Sequence, residues 1–190
     1  MHTFDGVYIR PLGDHPDTKM DPHDAAVFRT VERLATEHTG YPTVSGFHEF
    51  CYVPEKPLHG DLADFAHVER GAIGFVCELW DFFAQVGFET KRPFIKNYED
   101  HGAPADIEAI ARWDREHNAG RMIGAWRAFD HPQLGRVEVG GYDPLIGVWN
   151  PPPERIDELC RAQSRFYLRL ASLAPRLRVA SLEACPLGEG

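Results

Sequence analysis

The sequence predicts an α/β fold, and three observations carry that reading. Asp61 is an N-cap candidate before Leu62, Phe65 and Ala66, which recur at helical spacing, and Gly71 stands where that helix should stop. Ile73 to Trp80 follows at once as an apolar run of strand length, rich in branched and aromatic side chains. Upstream, a short strand around Val7, Tyr8 and Ile9 is followed by a well-capped helix. A helix feeding a buried strand is the ordinary unit of such folds. Glu78, near the end of that apolar run, is out of place: a carboxylate is costly to bury unless it is paired or put to use.

The remaining elements follow in order. Gly6 to Pro11 reads as a strand, and Arg10 to Thr18 as a loop by its Pro, Gly and Asp content. Asp21-Pro22 starts a helix with a cap residue and Pro at the first helical position. Ala25, Phe28, Val31, Leu34 and Ala35 give that helix an apolar face for one side of a sheet, and Gly40 ends it. His23 and His38, at its two ends, are expected to be solvated. Tyr41 to Tyr52 reads as a strand leading into a loop made irregular by Pro54, Pro57 and His59-Gly60. Asp81 to Phe88 carries no clear pattern. Pro104 to Asn118 is a helix that turns Ile107, Ile110, Ala111 and Trp113 inward. Residues 121–150 are turn-rich, with a short alternating segment at Val137-Glu138-Val139. Pro151-Pro152-Pro153 leads into the longest helix, about 153–174, with Ile156, Leu159, Cys160, Phe166, Leu170 and Leu173 as its stripe and Pro175 as its stop. Leu177 to Ala184 adds a candidate last strand.

Composition bounds the function. The 190 residues fit one domain, 1–190, and the 43% hydrophobic and 26% charged content is that of an ordinary globular chain. A net charge of −9 argues against a general nucleic-acid partner, which needs clustered Lys and Arg. No apolar run approaches membrane-spanning length and the start is no signal peptide, so the chain as written is expected in the cytoplasm, with no membrane partner. Cys51, Cys77, Cys160 and Cys185 form no CxxC pair and are expected to be reduced, buried thiols.

Three stretches together resemble the zinc carboxypeptidases of the carboxypeptidase A and B type, with flanks similar to a bacterial branch of that family. His2-Thr-Phe-Asp-Gly-Val-Tyr-Ile-Arg-Pro11 looks like the family strand that begins with the third zinc-ligand histidine. Thr39-Gly-Tyr-Pro-Thr43 and the run to Tyr52 resemble the branch. Gly60 to Trp80 looks like the Gly-rich turn, the invariant Asp and the strand ending in Glu-Leu, with Asp64 and Glu78 at the family's interval. The resemblance covers roughly residues 2–80, with a weaker echo beyond: 121–150 resembles a branch insertion, and the last helix the one that packs on the family's sheet. It implies a mixed β-sheet flanked by helices and hydrolysis of C-terminal peptide bonds. The metal activates a water, whose proton a carboxylate takes.

Residue by residue, the resemblance makes His2 a zinc ligand and Glu78 the general base. For Glu78 the alternative is a structural carboxylate paired with Arg10 or Arg70, and for His2 a loose terminal residue. Asp64 is structural on either reading. The family's substrate-capping tyrosine falls, by interval, on Lys56; Tyr52 is the nearest tyrosine and takes the part if the loop is longer, or else is a strand aromatic. Ala63, at the specificity-pocket position, implies a peptide substrate ending in an apolar residue, or is simply a good helix former. His48, His59, His67 and His131 have no metal-site spacing and are expected on surfaces or loops.

The family's other two ligands come from an upstream HxxE motif, which occurs nowhere in this sequence, and its carboxylate-clamping arginines also lie upstream. The chain thus looks like the C-terminal half of such a domain, incomplete at the N-terminal side and expected to be inactive alone. An exposed sheet edge and self-association would follow. A non-catalytic half-domain acting as an interaction module is the competing expectation.

Overall fold

Residues 5–53, 56–99 and 104–173 are described by the computed structural model, side chains of 98 and 99 excepted. Their fold is mixed α/β. The buried side chains of Val7, Tyr8 and Ile9 make β1 (Val7–Arg10) the centre of a three-stranded sheet. β2 (Thr43–Ser45) lies parallel to it, with Tyr8 opposite Thr43. β3 (Val76–Glu78) lies antiparallel on its other side, with Val7 opposite Glu78 and Tyr8 opposite Cys77.

Alternation along the strands divides the core. Tyr8 and Cys77 face a cluster with Val31, Ala35, Tyr41 and Phe166, while Val7, Ile9 and Val44 face Phe50 and Phe94. The strand expected over Ile73 to Trp80 is only three residues long. Its partner offers no more, because β1 gives way to the turn at Pro11, and Gly74 is pressed against the backbone of Ala63. Among the described residues β2 and β3 each have β1 as their one strand neighbour, so both are short edges.

α1 (Pro22–Thr39) begins and ends on the residues expected of it. The Asp21 side chain accepts from the His23 N–H at 2.8 Å, and Gly40, at φ 76°, returns its N–H to the Thr36 carbonyl. Phe28, Val31 and Ala35 bury its apolar face. His23 is exposed, but His38 is half-buried with its Nε2 shielded from solvent.

α2 (Leu62–Asp64) is capped by Asp61, whose side chain accepts from the Asp64 N–H at 2.9 Å. It then widens into a π-helical turn, Phe65–Glu69. That widening rotates the face: Ala63 and Asp64 are buried, whereas Leu62, expected inside, is 77% exposed.

α3 (Phe82–Val86) occupies the stretch without a sequence pattern, capped by Asp81 and closed by Gly87. α4 (Lys96–Glu99) and α5 (Pro104–His117) follow, and Trp113 packs on Trp80, Phe82, Met122 and Val148. Ile107 is exposed, contrary to expectation; Asp114 is inside in its stead. Residues 121–150 contain a regular antiparallel hairpin, β4 (Arg127–His131) and β5 (Gly135–Val139).

α6 (Ile156–Leu173) packs on α1 and runs to the last described residue. It buries Phe166 and Gln163; Ile156, Cys160 and Leu173 of the expected stripe are exposed, because the contact is made by its middle turns. The stop at Pro175 and the strand over 177–184 lie outside the described residues. Cys51, Cys77 and Cys160 are free thiols, of which only Cys77 is buried. Among the described residues no helix is long and apolar enough to cross a membrane.

Candidate active site

Glu78 ends β3 on the face opposite Cys77. It is 7% exposed, and in register it stands across from Val7, whose neighbours are Ile9, Val44, Phe50 and Phe94. Neither arginine considered as its partner serves it. Arg10 donates to Asp17 from both terminal nitrogens and to Glu32 from Nε at 3.1 Å. Arg70 lies over the Phe65 ring, 5.2 Å from its centre.

Antiparallel pairing brings the end of β3 to the start of β1. Asp5, just before β1, is buried there. Burial, and then the charge of Asp81, push its carboxyl up to about 8. Burial also raises the Asp81 carboxyl, which caps α3 through the Ala84 N–H at 2.9 Å. Sequence reasoning missed this acidic pair; the one local signal was Asp81 ahead of Phe82-Phe83, a cap residue before apolar ones.

Tyr52 sits in a bend, not a strand, and is 55% exposed. Its ring meets Phe50 edge-on at 6.0 Å. Burial, and next the charge of Glu78, push its phenol above the usual value, so the two residues share one electrostatic neighbourhood. Lys56, the residue at the family's interval, is exposed, and its backbone N–H donates to the Val53 carbonyl at 2.8 Å.

Asp64 holds the start of α2 against the loop after β1: both its oxygens accept from the Gly13 N–H, at 3.1 and 2.9 Å. Ala63 is buried and lines a cavity of about 290 Å³ with Tyr8, Phe75, Cys77 and Phe166. That cavity opens on the Cys77 face of the sheet, whereas Tyr52, against Phe50, and Glu78, opposite Val7, lie toward the other face. A larger cavity, about 840 Å³, lies between α1, the turn at Gly71 and the end of α6, away from Glu78. Its lining is mostly apolar, with His23, Asp24, Thr30 and His67 as the polar side chains.

His2 lies outside the described residues. Among those described, no group of three His, Cys, Asp or Glu side chains is placed to hold a metal ion. His48 and His59 are in a turn and a loop as expected, whereas His131 is the half-buried last residue of β4, paired with Gly135. His67 is not: its ring packs edge-on against Phe28 at 5.2 Å, with Nε2 3.8 Å from Asp24, and its side chain is 13% exposed. No family model, no curated protein and no solved structure matches the chain.

Proposed function

We propose that this chain carries the base-bearing half of the catalytic site of a zinc carboxypeptidase, which hydrolyses the C-terminal peptide bond of peptides. One observation supports the reading above the others. Glu78 is buried at the end of β3, beside the start of β1, which is the strand His2 leads into. Zinc, held in part by His2, would polarise the scissile carbonyl and lower the pKa of a water. Glu78 takes the proton of the attacking water and passes it to the leaving amine. Tyr52, whose raised pKa keeps its proton in place near neutrality, donates a hydrogen bond to the bound peptide.

The remaining ligands must come from an HxxE-bearing segment, since no HxxE is present in the sequence. The chain alone is therefore expected to be inactive. The same missing motif favours a second reading, a non-catalytic half-domain that serves as an interaction module. The test is release of the C-terminal amino acid from a blocked dipeptide, with zinc content measured by atomic emission after chelator-free purification. The proposal expects turnover to appear when an HxxE-bearing polypeptide and zinc are supplied, and to vanish in Glu78→Gln. Turnover that survives Glu78→Gln overturns it. A stable complex with that polypeptide and no turnover selects the interaction module.

A further inference from the structure

Trp80, two residues beyond Glu78, has φ 70°, a left-handed conformation that a bulky side chain adopts only when its surroundings enforce it. Two hydrogen bonds enforce it here. The Trp80 backbone N–H donates to the Tyr41 hydroxyl oxygen at 3.0 Å, and the indole Nε1–H donates to the Gly147 carbonyl at 2.7 Å. The indole itself is buried against Trp113 and Met122.

Tyr41 is fixed in turn from α1. Its backbone N–H donates to the Thr39 hydroxyl at 3.1 Å, and its carbonyl accepts from the Thr36 hydroxyl at 3.2 Å. Its ring lies against the residue just before β1, closely enough that a Cβ on Gly6 would come within 2.5 Å of it. One side chain therefore touches both the start of β1 and the exit of β3, the two strand ends that the Val7–Glu78 register brings together.

We propose that Tyr41 is a positioning residue for Glu78: its ring spaces the two strand ends, and its hydroxyl holds Trp80 in the left-handed turn that fixes how Glu78 leaves the sheet. The inference rests on the reading of Glu78 as the base. Without the Tyr41 hydroxyl, Trp80 loses one of its two restraints and relaxes toward an ordinary backbone conformation, turning the end of β3 with it.

The test is Tyr41→Phe, which keeps the ring and removes the acceptor. Two signals are read by NMR on the intact chain, with neither zinc nor peptide added: amide exchange at Trp80 and the side-chain carboxyl carbon of Glu78, assigned by its loss in Glu78→Gln. Exchange at Trp80 is expected to quicken roughly tenfold, the size of one lost hydrogen bond. The Glu78 signal is expected to shift by more than its linewidth, while the amides of α6 stay in place. Unchanged exchange, or faster exchange with an unmoved Glu78 signal, overturns the proposal. Should Tyr41→Phe fail to fold, Trp80→Phe, which keeps an aromatic ring and removes the bond to Gly147, must move the same Glu78 signal, and an unmoved signal overturns the proposal. Because no hydrolysis is measured, this outcome is separate from whether the chain belongs to a peptidase.

Discussion

Both carboxylate oxygens of Asp64 accept from the single backbone N–H of Gly13, across a sequence separation of 51 residues. This contact ties the loop after β1 to the start of α2. In Asp64→Asn the amide nitrogen has nothing to offer a donor, and one acceptor is lost. A loss of about 1–3 kcal/mol is expected, seen as a lower urea midpoint with an unchanged slope. An unchanged midpoint would show that the contact contributes nothing net.

Asp114 is fully buried and collects three donors: the backbone N–H groups of Met122 and Ile123, at 2.9 and 3.0 Å, and the Asn118 side chain at 2.8 Å. It thereby pins the turn that leads from α5 toward the hairpin. Asp114→Ala strands those donors away from water and should cost about 3 kcal/mol or more in chemical denaturation. Exposed Ile107, on the same helix, should tolerate Ile107→Ala within about 0.5 kcal/mol.

Asp5 sets a pH dependence of known sign. Its carboxyl is raised from 3.8 to about 8 by burial and by Asp81. A raised carboxyl keeps its proton in the folded state over that window while the unfolded chain gives it up. Its contribution to stability is therefore full below the lower value and is lost as pH rises through the upper one. Melting temperature should fall between roughly pH 4 and pH 8. Asp5→Asn, neutral throughout, should flatten that fall and surpass the wild type at the alkaline end. A wild-type profile already flat over this range would contradict the burial assigned to Asp5.

What could be read in advance was local. α1 was legible at both ends because Asp21, Pro22 and Gly40 each act within a turn of their own position. Glu78 was legible because a carboxylate in an apolar run is anomalous on its face. The polar groups of the core were not, since their partners are remote: Tyr8 donates to Gln163, 155 residues away, so nothing near either marks it as buried. Nor does any local pattern announce the left-handed turn at Trp80, which depends on Tyr41 and Gly147. Leu62 and Phe65 misled because the π-helical turn breaks the period on which the face was counted.

The most direct measurement is an NMR titration of the labelled chain with zinc, following the imidazole of His2 and the carboxyl of Glu78 together. A shared metal site requires both signals to move along one binding curve, and His2→Ala to abolish the response at Glu78. Zinc that perturbs neither residue, or a Glu78 response that persists in His2→Ala, would contradict the assignment of these two residues to one catalytic site.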